Sequence, residues 1–311
     1  MTDKTDVSTA ATATGGPWPP SPIEALPVLV GVDGSEDALG AVRWAAGAAR
    51  QRQTSLLVIH AWLWPLYQVS LDPPPGRPQA GLRNQAQAVL TQARDAALQH
   101  SPGLSVDTEL LTGDAGHVLV RSSRRAQLLV VASRGLGGFA GVLLGSVGMR
   151  AAAGATCPVT IIRGNAHRAG PVVVGVDGSP GSEAALHLAF EEAQRQHCPL
   201  VAIHTWESPM SPVVVPQWQK DRAAMHDAAR QVLATSVDPW LAKYPSVPAE
   251  QRLVDAGAAS TLVDASRTAR ALVLGSHGRG AVLALVLGSV THAAVHHAHC
   301  PVVIAPKTDR S

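Results

Sequence analysis

Residues 28–35 read VLVGVDGS and residues 172–179 read VVVGVDGS, identical at seven of eight positions and offset by 144. An apolar, β-branched run without polar alternation is the pattern of a parallel strand covered on both faces. The Gly-Ser that follows turns into a helix with Ser35 as its N-cap. Working outward, SRGLGGFAGVLLGSV (133–147) returns as SHGRGAVLALVLGSV (276–290) at an offset of 143. Each copy then closes with Cys-Pro-Val, at 157–159 and 300–302. The chain is an internal duplication. It implies two similar sites about a pseudo-two-fold axis, and argues against one active site served by a dedicated substrate domain.

The 311 residues suit two domains of about 140 residues, large enough to bury a good core. The expected division is a disordered Thr/Ala/Pro-rich tail (1–26), a first domain (27–163), a polar linker (164–170), a second domain (171–306) and a short tail (307–311). A net charge of +2 gives no electrostatic reason to expect nucleic acid or an anionic membrane as partner. The start lacks a basic segment followed by an apolar run, and the apolar stretch near 281–287 falls far short of the roughly 18 residues of a membrane span. The expectation is a cytoplasmic protein. Cys157, Cys198 and Cys300 form no C-x-x-C pair and read as small buried hydrophobes.

Strand and helix patterns alternate through both halves, which argues for a parallel α/β sheet in each. The first half predicts strands at Pro27–Val32, Leu56–Ile59, Val106–Leu111, Leu128–Val131 and Val159–Ile162, with a third helix over Ala115–Arg124. The second predicts helices over Glu183–Gln196, Ala223–Ala242, Ser260–Thr268 and Gly288–His297, and a short strand at Arg252–Val254. In a sheet of order 3-2-1-4-5 the first and fourth strands are neighbours at the topological switch point, where ligands bind.

Two loop types meet there. Gly275 and Gly278 follow the fourth strand of the second half, and nine residues later Gly288-Ser289 opens a helix. Glycines let backbone approach a ligand without a Cβ, and a helix N-terminus offers free N–H groups to phosphate. Asp177 ends the first strand, placed to accept from a base amine or a sugar hydroxyl. Glycine turns that serve only packing are the competing reading, but here the spacing, the Gly-Ser start and the Val-Asp-Gly-Ser end occur together in both halves.

The pattern G-x2-G-x9-G-[ST], with hydrophobic-V-D-G-S before it and C-P-V after it, resembles the universal stress protein family, and two copies resemble its tandem form. The resemblance covers about residues 27–163 and 171–306. It implies two tandem Rossmann-like domains of the adenine nucleotide α-hydrolase type, each a five-stranded parallel sheet flanked by helices, and ATP binding, with Mg held through phosphates and no protein side chain as metal ligand. By position, the family roles place Val176 and Asp177 against adenine and ribose, with Thr205 and Leu274 flanking the base. Gly275, His277, Gly278, Gly288, Ser289 and Val290 would surround ribose and phosphates. The first half offers Val32, Asp33, Ala61, Val131, Arg134, Gly135, Gly145, Ser146 and Val147. There Ala132 replaces the first motif glycine. That substitution costs on the order of 1 kcal/mol if the position needs a positive φ, and otherwise only weakens a close contact. Arg134, where the second half has His277, offers a phosphate contact in return. Both sites are expected to bind, the second more surely.

His60 and His204 recur at the end of the second strand, where a buried, hydrogen-bonded histidine is the favoured reading over a catalytic base. His292 and His296 have the i, i+4 spacing that can hold a metal. The first half has Met149 and Ala153 there, however, and the favoured reading is a polar helix surface. Trp62, Trp64 and Trp206 read as covers of the sheet. No general base, Walker-type lysine or metal-carboxylate set stands beside the phosphate loops, so the expected function is a nucleotide-dependent regulatory or stress-response module with an unidentified protein partner. A slow ATPase or ATP-consuming enzyme, and a nucleotide-free scaffold, are the alternatives. The fifth strands of the two halves would be exposed edges if each domain stood alone. Pairing them would make an intramolecular pseudo-dimer, with further homodimerisation left open.

Overall fold

The computed structural model describes residues 26–62, 81–135, 145–164, 166, 169–207, 216–278 and 287–307. The N-terminal tail before Leu26, the Pro-rich stretch with Trp64, the middle of both glycine-rich turns and part of the linker lie outside them. The first half runs β1 (Val28–Val32), α1 (Glu36–Gln51), β2 (Leu56–Trp62), α2 (Leu82–His100), β3 (Val106–Thr112), α3 (Ala115–Ser122), β4 (Leu128–Ala132), α4 (Ser146–Gly154) and β5 (Val159–Ile162). The second runs β6 (Val172–Val176), α5 (Pro180–Arg195), β7 (Leu200–Trp206), α6 (Pro216–Lys243), β8 (Ala249–Asp255), α7 (Ala258–Ala265), β9 (Ala271–Gly275), α8 (Ser289–His297) and β10 (Val302–Ala305).

Several boundaries differ from the sequence expectation. Helix α5 starts at Pro180 and not at Glu183, because the Ser179 hydroxyl accepts from Ser182 N (3.2 Å) and proline is preset for the first helical position. Helix α3 stops at Ser122 and tightens into a 3-10 turn, Ser123–Arg125. Helix α7 begins two residues before Ser260, at Ala258, and ends at Ala265. Helix α6 reaches from Pro216 through Pro239 to Lys243. Strand β8 is longer than Arg252–Val254 because it is an outer strand whose exposed Glu250 and Arg252 hide its pattern.

The strands form one ten-stranded sheet, β3-β2-β1-β4-β5-β10-β9-β6-β7-β8. Within each half all pairings are parallel, in the expected order 3-2-1-4-5. The halves meet through an antiparallel pair, β5 with β10, in the register Val302↔Ile161, Val303↔Thr160, Ile304↔Val159. Thr160 and Val303 are equivalent positions of the duplication, so the pseudo-two-fold axis passes between them. On one sheet face, Leu29, Leu129, Ile161, Leu272 and Ile304 belong to a single core running beneath α3, α4, α7 and α8. The other face splits into a core under α1 and α2 and one under α5 and α6. The three cysteines are buried, and burial pushes the Cys157 thiol up to about 12, as expected of packing residues.

Side chains lock the joint on both faces. Arg52, the C-cap of α1, donates to Glu192 of α5 at 2.7 Å, and Arg195 donates to the same carboxylate oxygen at 2.7 Å. Burial pulls the Arg52 guanidinium below its ordinary range, with Glu192 opposing that shift. On the other face Arg163, just past β5, donates to the Ala298 carbonyl (2.7 Å) and the Val295 carbonyl at the end of α8. A cation placed there satisfies free carbonyls and complements the helix dipole.

Two outcomes follow for stability. Glu192→Gln leaves two guanidinium groups without their counter-charge and is expected to cost about 3 kcal/mol or more in urea unfolding. Arg52→Ala leaves Glu192 its partner Arg195 and should cost less; the reverse order would show that Arg195 does not hold the carboxylate without Arg52. The hydroxyl of Thr160 is fully buried and has no hydrogen-bond partner among the described residues. Thr160→Val reproduces its symmetry mate Val303 and is expected to raise stability by about 1 kcal/mol; a loss of that size would reveal a hydrogen bond to the hydroxyl.

Candidate functional site

The cleft of each half is built from its Val-Asp-Gly-Ser turn. Asp33 Oδ1 accepts from Ser35 N (3.0 Å) and Ser35 Oγ (2.7 Å), and Asp177 Oδ1 accepts from Ser179 N (2.9 Å). The intervening Gly34 and Gly178 take φ of +92° and +74°, which only glycine adopts cheaply. This turn spends one carboxylate oxygen and leaves the other facing the glycine motif. A Cβ on Gly135 would stand 2.3 Å from Asp33 Oδ2, and one on Gly278 would stand 2.6 Å from Asp177 Oδ2. The second motif glycine is therefore required by contact with the aspartate.

The recurrent histidines fix the same turn. His60 Nδ1 lies 2.7 Å from the Val32 carbonyl and His204 Nδ1 lies 2.6 Å from the Val176 carbonyl. A carbonyl only accepts, so Nδ1 carries the proton in both rings. Each histidine thus ties the end of the second strand to the carbonyl that immediately precedes the aspartate. This is the structural role favoured from sequence.

The glycine-rich turn closes on itself through backbone. Gly145 N donates to the Ser133 carbonyl (3.1 Å) and Gly288 N to the Ser276 carbonyl (3.0 Å). That bond sets the N-termini of α4 and α8 beside Gly135 and Gly278. Gly145 and Gly288 are the N-caps and supply no side-chain cap, while Ser146 and Ser289 are the first helical residues. By contrast the N-termini of α1 and α5 are capped by Ser35 (3.2 Å to Ala38 N) and Ser179. The same cleft thus borders one helix whose first-turn N–H groups are partly satisfied and one with no side-chain cap, the arrangement that suits an anion.

In the first half these parts enclose a cavity of about 370 Å³, within the roughly 300–1,000 Å³ range of small-molecule sites. Val32, Asp33, Ala61, Val131, Ala132, Arg134, Gly135, Gly145, Ser146 and Val147 all line it, so every first-half residue expected from sequence comes together. Gly31, Ala38, Ile59, Ala115, Leu119, Ser133 and Gly148 also line it, and were not expected. A signal for two of these lay in the repeated Val-Gly-Val. A Cβ on Gly31 would stand 2.6 Å from Leu119 Cδ1, so this strand glycine exists to let α3 lie close. Arg134 is exposed at the rim and forms no ion pair with a described residue.

The second half repeats the backbone with more side chain. Where the first has Ala61, Val131 and Gly148, it has Thr205, Leu274 and Thr291. Leu274 Cδ2 lies 2.7 Å from where a Gly175 Cβ would be, and the Thr291 hydroxyl donates to the Gly275 carbonyl at 2.7 Å. Val176 is buried at the end of β6, Val290 is half-buried in the first turn of α8, and Ser289 is exposed. His277 is half-buried, its Nδ1 3.1 Å from Ser276 Oγ. The sequence alternative of a positive φ at the first motif glycine is corrected here. Gly275 is the last residue of β9 and is not among the positive-φ positions. A Cβ there would strike the Gly181 backbone at 2.6 Å, so the glycine makes room for the first turn of α5. In the first half Ala132 and Asp37 stand at the places of Gly275 and Gly181.

A family model described as the universal stress protein family matches residues 26–163 and again 169–306. A universal stress protein of Mycobacterium tuberculosis (strain ATCC 25618 / H37Rv) is 37% identical over 294 residues, which is 90% of this chain and 96% of that one. The crystal structure of a universal stress protein from Archaeoglobus fulgidus DSM 4304 covers 92% of this chain and 98% of its own at 17% identity, with a TM-score of 0.66, and so shares the fold. A universal stress protein solved in complex with cAMP aligns with 45% of this chain and 98% of its own, at 28% identity and a TM-score of 0.37. With both copies of its duplication matched from the first strand to the last, the chain belongs to the universal stress protein family.

Proposed function

We propose that each half binds an adenine nucleotide in its cleft, ATP with magnesium held through the phosphates, and that the chain acts as a nucleotide-dependent regulatory module. The observation that carries this reading is the N-terminus of α4, left without a side-chain cap, beside a cavity with an apolar floor. Ile59, Ala61, Leu119 and Val131 offer that floor to a base. Asp33 Oδ2 faces the place for a ribose hydroxyl, and Arg134 with the first-turn N–H groups of α4 suits the phosphates. The same donors fit a triphosphate–magnesium group, whose metal would supply charge neutralisation. Of the described residues that line the first cleft only Asp33 is a carboxylate, and its Oδ1 is held by the Ser35 turn. This favours binding over turnover.

The first cleft, with Ala61, Val131 and Gly148 where the second has Thr205, Leu274 and Thr291, and with its Arg134, is the stronger of the two in this reading, reversing the order expected from the sequence motif alone. Gly135→Val and Gly278→Val test it, since each forces the aspartate carboxylate out of a turn that holds it. Purified protein is denatured and the released nucleotide identified and quantified per chain. The expected result is an adenine nucleotide in the wild type, most of it lost in Gly135→Val, a smaller part lost in Gly278→Val, and native circular dichroism in both. No nucleotide, together with no calorimetric signal on adding ATP and magnesium, would leave the clefts as scaffold. Equal losses would remove the ranking of the sites.

A further inference from the structure

We propose that His292 and His296 form a binding site for a borderline divalent transition ion (zinc, nickel or copper) on the outer face of α8. The two residues stand one helical turn apart and their rings face each other, with centroids 4.6 Å apart and planes tilted by 39°. Histidines at i and i+4 share one helix face, and a rotation of either ring lets one nitrogen of each meet a single ion, the spacing on which helical histidine sites are built. Among the described residues no set of three or more His, Cys, Asp or Glu side chains is placed to share a metal. The pair therefore supplies two ligands and leaves the remaining positions to water or to a second molecule, an open site and not a closed structural one.

His292 is exposed and His296 half-buried, so an ion reaches both. Arg163 repels an incoming cation, but its guanidinium is turned onto the Val295 and Ala298 carbonyls and is fixed there. The carbonyl end of α8 is the negative end of its dipole and works in the opposite sense. Imidazole ligands select zinc, nickel and copper over magnesium and calcium. The matching residues of the first half are Met149 and Ala153, which contribute no imidazole, so the site belongs to one half, on the helix whose N-terminus borders the second cleft.

The test is calorimetric titration of the full-length, tag-free chain with copper(II) and with zinc(II) near pH 7.5, beside electron paramagnetic resonance of the copper form. The expected result is one site of micromolar affinity with nitrogen coupling from two imidazoles. His292→Ala and His296→Ala should each weaken it by at least about tenfold, because either loses the chelating second ligand. His226→Ala, a histidine elsewhere on the second half, should leave it unchanged, and all three variants should keep native circular dichroism without metal. Wild-type affinity in both His292→Ala and His296→Ala, or a copper spectrum without imidazole nitrogen, would overturn the proposal.

Discussion

The antiparallel pairing of β5 with β10 is the contact on which the rest of the molecule depends. A five-stranded parallel sheet ends in an open row of N–H and C=O groups, which invites other chains to pair with it. Joining the fifth strands of the two halves consumes both rows at once. Because the pair is antiparallel, strands of the second half run opposite to those of the first, and the carboxyl ends of the two strand sets lie at opposite ends of the sheet. The two clefts are thus kept apart while sharing one sheet and one core. Axis and register fit together: the central pair joins equivalent residues, and the flanking pairs exchange under the two-fold.

Within each cleft the same economy recurs around one carboxylate. The aspartate ends the first strand, bends the chain through its own Oδ1, and presses its second oxygen against a glycine of the phosphate-type loop. The histidine at the end of the second strand holds the carbonyl just before it. Three segments distant in sequence therefore meet around one aspartate, and the helix N-terminus opposite it is left without a side-chain cap. Replacing a good N-cap costs roughly 0.5–2 kcal/mol, which the fold tolerates at α4 and α8 while it caps α1 and α5 with serine. Helices α2 and α7 also start on glycine without a side-chain cap, so it is the placing of the α4 and α8 N-termini beside the aspartate turns, and not the missing cap alone, that sets them apart.

The fold was legible because the duplication states it twice and the motifs fall at strand ends. Val-Asp-Gly-Ser, the glycine spacing and the terminal Cys-Pro-Val located the switch point, and every first-half residue drawn from them lines one cavity. What escaped was whatever depends on a partner remote in sequence. The need for glycine at 275 comes from Gly181 in the first turn of α5, nearly a hundred residues earlier in the chain. Gly31 and Leu119 are likewise one contact read as two unrelated residues. Strand β8 was shortened in the reading because only one of its faces is covered, so charged residues interrupt it.

The duplication also explains how the joint departs from symmetry. In a homodimer each residue at a two-fold interface must suit its own copy, since contact i with j implies j with i. A single chain is released from that condition. Arg52 meets Glu192, but their symmetry mates are Gln196 and Ala48, which form no ion pair. Arg163 ties down the end of α8, whereas its mate Pro306 has no donor to return to α4. Thr160 and Val303 differ at the axis itself. Such one-sided contacts bind each half to a complementary and not to an identical surface. They disfavour the pairing of like halves, and they let the two clefts diverge in side-chain volume while the shared backbone keeps its register.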